Sequence, residues 1–163
     1  MKRLVLALLV SLLPLCAPRT AWAANTSQAQ APLAKEDLTI ITRDGTPHLF
    51  HVEMAITGDQ QEIGLMWRTS LAADQGMLFD FGTSKVSTMW MDNTLIPLDM
   101  VYISQDGTVA AITEDAVPRS LAIDSSQVPV RATLELAGGI TEKLDIRVGD
   151  RVKQRIFNNA GAN

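Results

Sequence analysis

The alternation of apolar and polar positions along the chain predicts strands joined by tight turns. Leu38 to Thr42 leads into Asp44-Gly45, after which Phe50, Val52, Met54 and Ile56 alternate with His51, Glu53 and Ala55, the period-two pattern of a half-buried strand. A second hairpin runs from Met100-Val101-Tyr102-Ile103-Ser104 through Asp106-Gly107 to Thr108-Val109-Ala110-Ala111-Ile112, its turn residues suited to positive φ. Val101 and Ile103 share one face while Met100 and Tyr102 share the other, so this strand is expected to be central and covered on both sides. A third hairpin is expected from Ala132-Thr133-Leu134-Glu135-Leu136 through Gly138-Gly139 to Lys143–Val148, with Leu144, Ile146 and Val148 inward. Gly149-Asp150 then turns the chain into a last short strand over Val152–Phe157.

One short helix interrupts the strands. Asp59 and Glu62 have capping-box spacing, and Ile63, Met66 and Trp67 fall on one face at helical spacing. Gly64 weakens this helix, and Gly76 and Pro97 punctuate the chain beyond it. The pattern predicts a mainly β domain, a compact antiparallel sandwich or barrel with one short helix. An α+β domain of ferredoxin-like type is the alternative.

The N-terminus changes what the composition means. Lys2 and Arg3 precede an apolar run from Leu4 to Leu13, and Ala21-Trp22-Ala23 offers a small-x-small cleavage site, the layout of a secretory signal over residues 1–23. A membrane anchor is the alternative, but Pro14 cuts the run far short of the roughly 20 apolar residues a span needs. A lipid on Cys16 is a further alternative, disfavoured by the bulk of Leu15 before it. Cleavage after Ala23 would leave 11 of the 14 basic residues and all 18 acidic ones, a net charge of −7 instead of −4, and would remove the single cysteine. The expectation is a periplasmic or secreted protein without thiol chemistry, without a membrane segment once the signal is removed, and without the basic footprint of a nucleic-acid binder. Residues 24–37 are too polar to order themselves and are expected to be a linker, 38–157 the folded domain, and 158–163 a flexible tail.

Candidate chemistry concentrates between Gly64 and Met100. Five of the six methionines that follow the signal lie there, Met66, Met77, Met89, Met91 and Met100, together with Trp67 and Trp90. Core packing accounts for most of them. A thioether copper carrier is the sharper reading, but in an extended strand Met89 and Met91 face away from Trp90, and His48 and His51 fall on opposite faces. No metal and no cofactor are therefore expected. Trp90 with Asn93 and Thr94 offers an aromatic platform beside hydrogen-bonding groups, suited to a sugar or other small polar ligand; a turn held by the Asp92 and Asn93 side chains is the competing reading. Asp99 and Glu135 are acids in apolar strands, and a buried charge needs a partner, for which Arg68 is the nearest basic candidate. As a catalytic pair, the two carboxylates would have to lie roughly 5–9.5 Å apart in an open cleft. No nucleophile elbow, zinc-protease run or glycine-rich phosphate loop occurs.

Six blocks carry a family resemblance: Phe50–Ala55, Gly64–Arg68, Gly76–Phe79, Trp90–Thr94, Pro97–Met100 and Leu134–Gly139. In this order they resemble the DUF192 family over about residues 38–156. The resemblance implies a single, mainly β domain, often exported in bacteria, with no established activity and no catalytic residues to carry over. Its pattern matches here at Arg68, Trp90–Thr94, Asp99 and Glu135. The functional expectation is an exported module that binds a small ligand or an envelope component through Arg68, Trp90, Asn93, Thr94, Asp99 and Glu135. A hydrolase using Asp99 and Glu135, or a methionine-based copper carrier, is the alternative.

Overall fold

A computed structural model describes residues 24–160. The expected signal over residues 1–23, with Cys16 and the expected cleavage after Ala23, lies outside the described residues, as do residues 161–163 of the expected tail. Seven strands form one curled sheet: β1 (Lys35–Ile41), β2 (Pro47–Ala55), β3 (Gln75–Met89), β4 (Leu98–Ile103), β5 (Val109–Ala116), β6 (Asp124–Ala137) and β7 (Arg151–Lys153). Their order across the sheet is β5-β4-β6-β3-β2-β1-β7. The two end strands meet: Thr108 bridges Arg151, and backbone bonds join Val109 N to Asp150 O at 2.9 Å and Val152 N to Gly107 O at 2.7 Å. The curl thus closes towards a barrel and leaves little free strand edge.

The mainly β expectation holds, with the first two hairpins in place as β1–β2 and β4–β5. One pair departs from the antiparallel rule. β2 and β3 run parallel, and the crossover this requires is supplied by α1 (Gly58–Ile63) and the loop after it. The capping box of α1 sits two residues earlier than Asp59: the Thr57 hydroxyl accepts from Gln60 N, and the Gln60 side chain accepts from Thr57 N at 3.0 Å. The helix stops at Ile63, so Met66 and Trp67 do not continue its face; Trp67 takes a left-handed φ of 65°.

The third expected hairpin does not form. Gly138-Gly139 leads into α2 (Ile140–Lys143), where Gly139 at φ 78° is the N-cap, and Asp145 at φ 53° ends any extended run. Ile146 is buried and Val148 is exposed, so the apolar alternation there reflects an irregular segment that packs Ile146 and Leu144 against the inner core. The last expected strand is the short β7 followed by a 3-10 turn at Arg155–Phe157. At the other end, β1 begins at Lys35, inside the stretch expected as linker. The residues before it are tied down: Trp67 Nε1 donates to Thr26 O at 2.8 Å, Gln30 Nε2 to Gly64 O at 2.8 Å, and Leu33 N to Glu53 Oε2 at 2.8 Å. Polar composition there supplies hydrogen bonds to the domain in place of an apolar face.

The sheet buries both faces. Inside the curl pack Leu38, Ile40, Phe50, Val52, Leu78, Val101, Ile103, Leu134 and Leu136, joined by Ile146, Ile156 and Phe157. On the outer face Met77, Phe79, Met100, Tyr102 and Val130 pack beneath Leu65 and Met91 from the connecting segments. The β4 strand is buried at all of its positions, as its two apolar faces predict.

Candidate functional site

The outer layer is covered by loops instead of by a second sheet, and that cover is incomplete. Strand register places Glu53, Met77, Glu135 and Met100 in one row across β2, β3, β6 and β4, with Ala55, Phe79, Thr133 and Tyr102 in a parallel row. Gly76 makes the row possible, because a Cβ there would lie 2.5 Å from the backbone oxygen of Glu135. Glu135 is therefore flanked by Met77 on one strand and Met100 on the other. It is 4% exposed, and among the described residues no hydrogen bond reaches its carboxyl. Burial among apolar neighbours pushes its pKa up to about 8, so the carboxyl holds its proton at neutral pH.

Above Glu135 is a cavity of about 250 Å³. The end of α1 with the Gly64–Met66 turn forms one wall, Phe79 and Phe81 from β3 form another, and Thr88, Met89 and Trp90 lie where β3 ends. Trp90 is 48% exposed at this cavity, and Thr94 is buried beside it. Because β3 stops at Met89, strict alternation does not extend to Trp90, and Met89 and Trp90 line the same cavity instead of opposite faces. Lys85 also lines it, its ammonium 4.2 Å from the centre of the Phe81 ring.

The DUF192 sequence profile, described as "Uncharacterized ACR", matches residues 39–154. The chain belongs to the DUF192 family. No curated protein matches it. A crystal structure from Sinorhizobium meliloti 1021, provisionally described as a transcription regulator, is 44% identical, with 78% of this chain and 99% of that one covered and a TM-score of 0.76. A protein of unknown function from Novosphingobium aromaticivorans DSM 12444 is 33% identical, with 82% and 100% covered and a TM-score of 0.72.

This DUF192 domain brings Trp90, Thr94 and Glu135 together and places the other three expected residues elsewhere. Asn93 belongs to a turn: its φ is 55°, its carbonyl accepts from Trp67 N at 2.9 Å, and its amide lies 3.3 Å from Asp92 Oδ2. Arg68 does not pair with Asp99. It donates to Glu53 at 3.1 Å, and Glu53 also accepts from Leu33 N. Asp99 pairs in register with Leu136, one position out of step with Glu135, so it faces the inside of the curl while Glu135 faces out. Its carboxylate accepts from Thr141 N and Thr141 Oγ1 at 2.8 Å each, from Gly139 N at 3.0 Å and from Asp115 N at 2.9 Å. Asp99 thereby holds the start of α2 and the edge of β5, and it does not share a cleft with Glu135 as the hydrolase alternative required.

The sequence reading missed Phe79, Phe81, Lys85 and Thr88. The signal was present in Met77, Phe79 and Phe81, which alternate with Leu78 and Asp80 as a strand requires. Glycines at 76 and 82 and the register shifts between Asp80 and Thr88 hid it.

Proposed function

We propose that this DUF192 domain binds a small ligand in the cavity beneath Trp90, acting after export to the periplasm or medium. One observation carries the binding reading: a buried carboxyl without a protein donor opens into a cavity beside a half-exposed tryptophan. Leaving such a group without a protein partner costs about 1–3 kcal/mol, so an occupant whose groups bond to it gains affinity. The volume lies below the roughly 300–1,000 Å³ of drug-sized sites, which favours a small polar or sugar-like molecule, or the exposed tip of an envelope component. The charged start and apolar run of residues 1–23 support export.

The other readings have less support. A role on nucleic acid, which the description of the Sinorhizobium protein would imply, calls for a basic surface that a net charge of −4 does not suggest. The hydrolase reading loses Asp99 to a structural role. For the copper carrier, Met66 and Met89 line the cavity, but Met77, Met91 and Met100 are wholly buried in the packed layer. Among the described residues no helix is long and apolar enough to cross a membrane.

A thermal-shift screen against sugars, peptidoglycan fragments and amino acids tests the binding reading, because a ligand of the native state raises its melting temperature. The expected result is a shift for one chemical class that Trp90→Ala abolishes. A shift that survives Trp90→Ala unchanged would place the ligand elsewhere and overturn it.

A further inference from the structure

We infer that the cavity selects an organic ammonium ion, a primary amine on a ring-sized apolar body, with its charged head on the Glu135 carboxylate and its body against Phe79, Phe81 and Trp90. This rests on the binding reading above and names the class of ligand.

Hydrogen-bond supply comes first. The two buried acids of the outer row differ: Glu53 receives Arg68 and the Leu33 amide, whereas Glu135 receives no donor among the described residues. Among the described residues the cavity wall sends no donor to Glu135. The Gln61 amide is spent on Ala55 O at 3.1 Å and Asp80 O at 2.7 Å, and the Lys85 ammonium sits on Phe81. The ionised form of Glu135 therefore depends on an occupant for its donors, and an ammonium brings three.

The walls point the same way. Three aromatic rings and the thioethers of Met66 and Met89 line the space, and aromatic faces attract cations. The position of Lys85 over Phe81 shows that an ammonium is accommodated on this wall. Glu62 opposes an anionic ligand, while Lys85 on the same wall opposes a cation beside it, so the ammonium head is assigned to Glu135 and away from Phe81. The volume of about 250 Å³ favours a compact body.

Charge follows from geometry. In the empty cavity Glu135 holds a proton, and an arriving ammonium restores the carboxylate while that proton passes to the buffer. The other ionisable groups around the carboxyl are Tyr102 on β4, which itself responds to Glu135, Glu62 on α1, Lys85 on β3, and the Glu53–Arg68 pair. Burial raises the Tyr102 pKa, so that phenol stays neutral across the range of the test.

The test uses matched probes, benzylamine and phenethylamine against benzyl alcohol and phenethyl alcohol, measured by calorimetry at pH 7 in two buffers of different ionisation enthalpy. NMR of the Trp90 indole reports occupancy of the cavity. The amines are expected to bind at least roughly tenfold tighter than the alcohols, with about one proton released per amine bound. Glu135→Gln, which keeps shape and removes the charge, should bring the amines down to the alcohol level. Alcohols binding as well as amines, or an amine preference that persists in Glu135→Gln, would overturn the ammonium inference and leave the binding reading standing. If neither class moves the Trp90 signal at millimolar concentration, the ammonium inference falls, while the binding reading stands or falls on the thermal-shift screen.

Discussion

Asp99 and Glu135 are carboxyls on neighbouring strands, one register step apart, and both are almost fully buried. Asp99 faces the inside of the curled sheet and accepts four hydrogen bonds from Gly139, Thr141 and Asp115. Glu135 faces outward, between methionines, and receives none among the described residues. The inner face is closed by the barrel itself and by α2, whose free backbone N–H groups need an acceptor. The outer face is closed by connecting loops, and where they stop short a cavity remains above Glu135. The same residue chemistry thus anchors the fold on one face and makes a site on the other, according to what each face can donate.

The largest expected effect is at Asp99. Asp99→Ala removes the acceptor for four donors in a buried place, and a stability loss of roughly 3–4 kcal/mol is expected in chemical denaturation. Asp99→Asn, which keeps one acceptor oxygen, should lose less. A loss under about 1 kcal/mol for the alanine variant would erase the contrast between the two acids.

Glu135 should show the opposite behaviour, with a pH dependence of its own. In the unfolded chain it ionises near its ordinary value of 4.5, and in the fold only near about 8. Between these values the folded state holds a proton that the unfolded state has released. Stability from this group is therefore full below pH 4.5 and is lost as pH rises to about 8. Urea midpoints of the parent and Glu135→Gln at pH 5 and pH 8 measure the difference: the variant should gain relative to the parent by a few kcal/mol at the higher pH. Parallel profiles would show that Glu135 has a partner after all.

Smaller effects sharpen the picture at the edge of the outer row. Arg68→Ala leaves Glu53 with the Leu33 amide alone, and because the pair is mostly shielded a loss of about 1–3 kcal/mol is expected. Trp90→Ala should change stability by no more than about 1 kcal/mol, since half of the ring is already in water, while it removes ligand-induced thermal shifts. A large destabilisation at Trp90 would assign that ring to packing.

The first two hairpins were legible because Asp44-Gly45 and Asp106-Gly107 divide clean alternating runs. The dual burial of β4 was legible too, since Met100 and Tyr102 are as apolar as Val101 and Ile103. Leu144, Ile146 and Val148 misled because alternation also arises in an irregular segment that dips one side chain into the core. Only the end of β3, near Met89, was read as extended, and its length and the first half of β6 went unseen, since their outer halves are bulged and exposed.

By itself, then, the sequence determined a mainly β domain of the DUF192 family, the facing of β4, and the short group of polar residues from which a site could be drawn. Only the tertiary structure decided which of them form one. Local pattern sets the face on which a side chain lies, but its partners come from strands and loops far away in the chain: Thr141 for Asp99, Arg68 for Glu53, and no described residue for Glu135. Whether a buried acid is satisfied is a property of that long-range register, and it separates the anchor from the candidate site.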